Sequence, residues 1–306
     1  MSLVAPIICG VVHMLTRRTT RRYFLLRPDR DEQLQQLFLY CLAVASSKFG
    51  VLVHAVVVMS NHFHVVLTDV YGLLPDFKRE LIRNVANATK VLRGWPEEVF
   101  CKPGRTHVEL EGPAAILSKM AYVIANPVAC GAVSRIEEWP GVKVLPGDVG
   151  TKVFRVRRPD RYFSATSTCW PEEAELRIVM PQALVEEHGS EDAAREALER
   201  EVARQCDEAR AKLREERRPI GSRKSALHAR ITTRGKAWET FGALSPRFAT
   251  GGCPEAAKRA LSRMREFLSA YAECLARWRQ GVRDMLWPYG TWAMRVYHGA
   301  RCHDPP

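Results

Sequence analysis

The sequence predicts an α+β protein whose first 145 residues follow the order β-α-β-β-α-β-α. Three observations support this prediction. Short β-branched segments alternate with longer segments whose apolar residues recur at helical spacing. Glycine and proline stand at the boundaries between these segments. After Trp139 a connector rich in proline and glycine begins. We therefore predict two parts, residues 1–145 and a C-terminal extension over residues 146–306.

The first four elements follow one another closely. Residues 10–18 predict a strand that ends in a basic turn. Residues 29–50 carry apolar side chains at helical spacing and end on a glycine, a common helix stop. The β-branched residues 51–59 predict a buried strand. A two-residue turn candidate follows, and residues 62–70 return as the paired strand.

Three further elements complete the first part. Residues 75–94 predict a helix with proline near its start and glycine at its end. Residues 106–112 predict a short strand, and residues 113–133 predict a helix that is interrupted or ended near Pro127. This order is the split βαβ pattern, called ferredoxin-like or RRM-like, with one added helix. It predicts an antiparallel sheet with helices packed on it.

The extension is predicted to be mostly helical. Strand-like segments occur around Phe154 and at residues 176–180. A very charged helix follows from residue 191 to about residue 216, with Ser190 as its N-cap. Its apolar stripe is thin, so we expect this helix to be solvated.

The rest of the extension begins with a basic arm, residues 217–236. The arm contains seven Lys or Arg residues and no acidic residue. That composition is typical of a segment that follows phosphates, although a solvated linker explains it almost as well. Residues 255–279 predict an amphipathic helix, and an aromatic segment is expected to close the chain as a strand.

Composition narrows the class of partner. The 306-residue chain has a formal net charge of +12, which favours a polyanion, most often nucleic acid. Its nine cysteines include no C-x-x-C pair, which argues against a zinc ribbon or a dithiol centre and favours reduced thiols. No uninterrupted apolar run reaches the length of about 18 residues that a membrane span needs. We expect a cytoplasmic, nucleoid-associated protein without a membrane partner.

A pair of histidines stands in the third predicted strand. The segment "VVVMSNHFHVVL" places His62 and His64 two residues apart. In a strand, both imidazoles would project from the same face. Two imidazoles on one face can bind a metal, but a lone H-x-H pair among nine histidines is a weak signal.

A second group of polar residues lies in the third predicted helix, within "AYVIANPVACGAV". Tyr122 and Asn126 are four residues apart, so on a helix they share one face. Because the residue before a proline is biased away from helical angles, Asn126 is expected at the very end of the helix. Packed on the sheet, this helix would bring Tyr122 and Asn126 over His62 and His64.

With both motifs in this order, residues 8–145 resemble the IS200/IS605-like single-tyrosine transposases of the HUH superfamily, and most of all the REP-associated tyrosine transposases. "MSNHFHVVL" is similar to the family's N-H-x-H strand. "AYVIANPVACGAV" is similar to its Y-x-x-x-N-P-V-x-x-G-x-V helix. "TRRTTRRYFL" matches the arginine-rich turn after the first strand. The C-terminal extension lies outside the resemblance.

The resemblance implies a metal-dependent single-stranded DNA endonuclease and strand transferase that acts on hairpin-flanked repeat DNA. His62, His64 and Asn126 would bind Mg²⁺ or Mn²⁺. Tyr122 would attack the scissile phosphate, giving a 5′-phosphotyrosine intermediate and a free 3′-OH. Because Mg²⁺ prefers oxygen ligands, Mn²⁺ should work at least as well.

Basic residues in three places are candidates for DNA contact, and their contacts with phosphates would make affinity fall with salt. They are Arg17, Arg18, Arg21 and Arg22 in the first turn, Lys119 one turn before the tyrosine, and Arg217, Arg218, Arg223, Lys224, Arg230 and Arg234 in the basic arm. We expect the first turn, and with it the arm, to recognise duplex hairpins.

Two alternatives stay open on the sequence. A catalytically silent, domesticated DNA-binding protein would keep the fold and the charge, although the intact Tyr122, His62 and His64 argue against it. A replication-initiator or relaxase-like HUH nickase shares the histidine pair. Such proteins usually carry a third histidine close to the pair, which this sequence lacks. The sequence does not decide between a monomer and a homodimer.

Overall fold

The structure is a computed structural model that describes residues 5–101, 107–235 and 247–304. Its first seven elements follow the predicted order, with boundaries that shift by only a few residues. They are β1 (Val11–Arg18), α1 (Gln33–Phe49), β2 (Val51–Met59), β3 (His62–Asp69), α2 (Leu74–Arg93), β4 (His107–Leu110) and α3 (Pro113–Ala129).

Helices are the main regular structure in the described part of the extension, and they cover about half of its residues. Its elements are β5 (Val153–Arg157), β6 (Glu173–Arg177), α4 (Gln182–His188), α5 (Glu191–Glu215), α6 (Arg223–His228), β7 (Phe248–Ala249), α7 (Pro254–Arg279) and α8 (Trp292–His298). None of the helices in the described residues is both long and apolar enough to cross a membrane.

The main sheet has the strand order β2-β3-β1-β4-β7. The first four strands are antiparallel to their neighbours, which is the ferredoxin-like arrangement. β7, from the extension, adds a short parallel strand beside β4. The fold is therefore α+β with a mostly antiparallel sheet, while β5 and β6 form a separate hairpin.

The helices cover both faces of this sheet. Phe63 of β3 meets Phe38 of α1, with ring centroids 5.0 Å apart, and α2 packs beside α1. α3 packs on β2 and β3. Because side chains alternate along a strand, His62 and His64 point away from the Phe63 face and toward α3. The candidate site therefore lies between α3 and the sheet.

The charged helix α5 is packed rather than solvated, so the prediction for it was wrong. Its N-cap is as predicted, since Ser190 Oγ accepts a hydrogen bond from the backbone N–H of Ala193 at 3.1 Å. α5 packs along α3, and its Leu198 and Val202 are buried. The thin apolar stripe is enough to bury one face of α5 because it contacts the apolar surface of α3. The buried core is continuous across residue 145, and the two-part division of the chain stays a prediction.

The predicted terminal strand was also wrong. The segment forms α8, which ends at Gly299 with a φ of +62°. Trp287 and Met294 are buried with Met285 in a small separate core against α7. The aromatic and β-branched content of the segment favours a strand locally, but packing against α7 decides its structure.

Candidate active site

The strand β3 sets the positions of the two histidines. His62 and His64 lie opposite Arg18 and Thr16 of β1, and their ring centroids are 4.9 Å apart. His64 is buried. The two imidazoles therefore form one continuous edge beneath α3.

The helix α3 brings Tyr122 and Asn126 to this edge. Asn126 Oδ1 lies 3.1 Å from His62 Nε2. The ring of Tyr122 meets that of His64 edge to face, with centroids 5.4 Å apart. The structure thus brings together the four side chains that the spacing singled out, and their chemical roles stay predictions.

Asn126 does not lie at the very end of the helix, as the sequence led us to expect. α3 continues through Pro127 to Ala129, and the side chain of Asn126 is buried. The restriction that a proline places on the preceding residue is a bias, and helical packing overrides it here. Near a helix end the missing N–H of Pro127 costs one hydrogen bond, which the helix tolerates.

The hydrogen bonds of His62 fit a cation at its Nε2 atom. Asn61 Oδ1 lies 2.7 Å from His62 Nδ1, so Nδ1 carries the proton. Burial lowers the pKa of His62 to about 4, so the ring is neutral at pH 7 and Nε2 keeps a lone pair. In this amide orientation Nε2 faces a second acceptor, Asn126 Oδ1. A metal ion between these two atoms would resolve the conflict.

His64 is oriented in a similar way. Its Nδ1 lies 2.8 Å from the hydroxyl of Thr16, and in the tautomer in which Nδ1 donates to this hydroxyl, Nε2 is available as a ligand. Burial, and then the neighbouring His62, lower the pKa of His64 well below its usual range. Both rings therefore stay in the neutral form that binds metals.

The donor set of the site consists of two imidazole nitrogens and one amide oxygen. Among residues 5–101, 107–235 and 247–304, no group of three or more His, Cys, Asp or Glu side chains could hold a metal ion. The donors fit a divalent ion that accepts both nitrogen and oxygen ligands, as Mn²⁺ does. They would leave coordination positions open for other ligands.

Tyr122 is not activated by its protein surroundings. Its side chain is 38% exposed. Desolvation raises its pKa above the ordinary value, and Arg18 and Asn126 oppose this shift. The ammonium of Lys119 lies 5.5 Å from the centre of the Tyr122 ring. A tyrosine in this state needs help to act as a nucleophile near neutral pH.

These side chains open into a cavity of about 900 Å³. Among the described residues, four arginines line it and no Asp or Glu does. They are Arg18, Arg22, Arg218 and Arg234. A concave surface with this charge is suited to an anion that carries several negative groups, such as a nucleic acid backbone.

The other predicted DNA-binding residues do not line the cavity, although the ammonium of Lys119 lies close to the ring of Tyr122. Arg17 projects from the opposite face of β1, where its guanidinium donates to the carbonyl of Cys101 at 2.7 Å and lies 5.7 Å from the centre of the Phe100 ring. The remaining arm residues with predicted contacts are exposed and do not line the cavity: Arg217, Arg223, Lys224 and Arg230. Arg21 does not line it either, and Lys236 lies outside the described residues.

Sequence reasoning missed the two residues that orient the histidines, Asn61 and Thr16. Asn61 directly precedes His62, so its position in the N-H-x-H motif was an available signal. Thr16 meets His64 only through the register of β1 and β3, for which the sequence carries no local signal.

Comparison with known proteins gives structural similarity alone. No protein-family model matches the chain, and no curated protein matches it. A solved structure of a REP-associated tyrosine transposase bound to a REP hairpin is 19% identical, covers 48% of this chain and 84% of that chain, and has a TM-score of 0.39. A candidate transposase from Deinococcus radiodurans R1 is 16% identical, covers 41% and 97%, and has a TM-score of 0.28. The function is therefore argued from the site itself.

Proposed function

We propose that the chain is a metal-dependent single-stranded DNA endonuclease and strand transferase, a transposase that works through a tyrosine. One observation carries the proposal. Tyr122 meets the group formed by His62, His64 and Asn126 inside a cavity whose described lining contains four arginines and no carboxylate. The arrangement combines a nucleophile, a metal donor set and a binding surface for phosphates.

The reaction exchanges one phosphodiester bond for another. The hydroxyl oxygen of Tyr122 attacks the scissile phosphorus, and the bond from phosphorus to the 3′-oxygen breaks. The proton of the tyrosine ends on the leaving oxygen, giving a 3′-OH and a 5′-phosphotyrosine. A 3′-OH that attacks the phosphotyrosine reverses these steps and rejoins strands without an external energy source.

The protein residues divide the remaining tasks. His62, His64 and Asn126 would hold Mn²⁺ or Mg²⁺, which when bound would polarise the scissile phosphate. By accepting hydrogen bonds from the Nδ1 atoms, Asn61 and Thr16 would keep the imidazole Nε2 atoms free for this purpose. Arg18 and Arg22 line the cavity and would neutralise the phosphate and its neighbour.

The proposed substrate is single-stranded DNA next to hairpins of repeated sequence. To test it, single-stranded oligonucleotides from the DNA that flanks the gene are incubated with the protein and Mn²⁺ or Mg²⁺, then separated on denaturing gels. We expect a covalent protein–DNA adduct that is lost in Tyr122→Phe, because only the hydroxyl of that residue forms the bond. Tyr162→Phe is the matched control, since its ring is 39% exposed and lies outside the cavity lining.

Two results would contradict the proposal. An adduct that persists in Tyr122→Phe would assign the nucleophile to another residue. Tight, salt-sensitive binding without an adduct under either metal would identify a DNA-binding protein without catalysis.

A further inference from the structure

The basic arm, described here over residues 217–235, crosses the cavity that holds Tyr122. At one end it is fixed to the chain that follows α3. The backbone N–H of Gly221 donates to the carbonyl of Gly131 at 2.8 Å. A Cβ at Gly221 would lie 2.6 Å from the carbonyl oxygen of Ala132, so only glycine allows this close approach.

The other end of the arm is fixed to the basic turn after β1. The backbone N–H of Phe24 donates to the carbonyl of Thr233 at 2.9 Å, and that of Gly235 to Arg22 at 3.1 Å. The guanidinium of Arg234 lies over the ring of Tyr23, 4.6 Å from its centre. Between the two ends, Ala226 of α6 is buried. The arm is therefore a packed part of the fold that joins α3 to the first turn.

The arm supplies a wall of the cavity from outside the seven-element fold. Eight of its residues line the cavity, and none of them is acidic. They are Arg218, Gly221, Ser225, Ala226, Ala229, Thr233, Arg234 and Gly235. The wall thus combines two guanidinium groups with small and hydroxyl side chains, a surface that suits a phosphodiester backbone.

The size of the cavity limits what can lie against this wall. At about 900 Å³ it falls at the upper end of pockets for small molecules. A cavity of this volume can hold a short stretch of one strand between the arm and α3. The guanidinium of Arg218 makes a 3.3 Å contact with the half-exposed Glu216, a weak surface pair that a phosphate can replace.

We infer that the arm is the second wall of a cleft for unpaired DNA, and that the strand cleaved by Tyr122 runs between the arm and α3 with its phosphates beside Arg218 and Arg234. This inference rests on the proposed function and deepens it. It differs from the expectation drawn from the sequence, which was that the arm helps to recognise duplex hairpins. The basic residues of the arm that do not line the cavity, such as Arg230, take no part in this contact.

The test measures binding in a Tyr122→Phe background, where no covalent product forms. Arg218→Ala and Arg234→Ala are compared with Arg230→Ala, which removes the same charge from an exposed position outside the cavity. The probes are an unpaired oligonucleotide and a blunt hairpin whose stem contains that sequence, titrated at several salt concentrations.

We expect each cavity variant to weaken binding of the unpaired strand about tenfold and to lower its salt slope by about 0.7, the value for one phosphate contact. Binding of the duplex should stay the same, and Arg230→Ala should change single-strand binding by roughly twofold at most.

Equal losses on both probes, or an equal loss in Arg230→Ala, would overturn the inference and leave only a general effect of charge. Arg218→Ala keeps the test decisive if Arg234→Ala loosens the arm, because Arg218 makes no anchoring contact with the first turn. The inference and the proposed function fail separately. Adduct formation tests the function, whereas the difference between the probes tests the arm.

Discussion

Asn61 decides which nitrogen of His62 is free to bind. A neutral imidazole carries one proton, and the contact between Asn61 Oδ1 and His62 Nδ1 places that proton on the side away from Asn126. Without this contact either nitrogen could carry the proton, and Nε2 of His62 would be free to bind a metal in only one of the two tautomers. Residues of this kind act on the metal only through the ligand that they hold.

We therefore expect Asn61→Ala to weaken Mn²⁺ binding about tenfold, a loss typical of residues that orient a metal ligand. Adduct formation should recover at high Mn²⁺, because Tyr122 and the four arginines that line the cavity are unchanged. The measurement is the Mn²⁺ concentration at half-maximal adduct formation, together with Mn²⁺ binding followed by electron paramagnetic resonance.

Asn61→Asp should restore much of the affinity, since a carboxylate also accepts a hydrogen bond from Nδ1. Asn87→Ala is the control, because the side chain of Asn87 donates to the hydroxyl of the exposed Tyr162 at 3.2 Å and does not line the cavity. A tenfold loss in both alanine variants would indicate a general loss of stability and contradict the role given to Asn61.

The residues that the sequence could predict were those whose neighbours are local. His62 and His64 follow from the two-residue period of a strand, and Tyr122 and Asn126 follow from the four-residue spacing of a helix. Thr16 lies 48 positions from His64. Its contact depends on how two strands align, which no local pattern encodes.

Among the elements, α3 contacts both the sheet and α5. It carries both Tyr122 and Asn126, so the packing of α5 bears on the geometry of the site. Leu198 of α5 is completely buried and is a direct probe of this layer.

Leu198→Ala should lower the free energy of unfolding by about 2–4 kcal/mol, because it removes buried methyl groups and leaves a cavity. Urea denaturation measures the change. Arg200→Ala is the control on the exposed face of the same helix, where a surface ion pair of 3.7 Å with Glu196 contributes under about 1 kcal/mol. Equal and small effects of both substitutions would mean that α5 is solvated after all.

The elements that sequence reasoning misjudged were those decided by packing at a distance. The stripe of α5 includes alanines and Cys206. These side chains are only weakly apolar, so the sequence does not indicate that they become buried when α5 packs on α3. The arm has no hydrophobic period at all. Two glycines and backbone hydrogen bonds to Gly131, Arg22 and Phe24 fix its path, and none of these contacts follows from composition.

At the scale of the whole molecule, the net charge is +12, and several of the positive side chains line the cavity. The proposed metal donors are neutral, and the arginines around them are positive. A divalent cation bound there alone would meet unfavourable electrostatics. Phosphates of the DNA would supply the missing negative charge, so metal and DNA should each favour binding of the other.

We expect unpaired DNA to tighten Mn²⁺ binding to the Tyr122→Phe protein by about 5- to 150-fold, the usual range of coupling between sites. By thermodynamic reciprocity, saturating Mn²⁺ should tighten DNA binding by the same factor. Both affinities can be measured by titration at one salt concentration. An uncharged backbone analogue of the same sequence is the control and should show no coupling. Independent binding of metal and DNA would contradict the view that DNA phosphates supply the negative charge that the neutral metal donors lack.

The spacing of Tyr122 and Asn126 has a consequence for how relatives of this protein can differ in length. One residue inserted between them would turn one side chain by about 100° around the helix axis and separate the nucleophile from the metal donors. The segment between His64 and Tyr122 is different, because β3 and α3 are each held by their own packing. Insertions and deletions should therefore accumulate in the loops between those two elements and be excluded from the four-residue interval within α3.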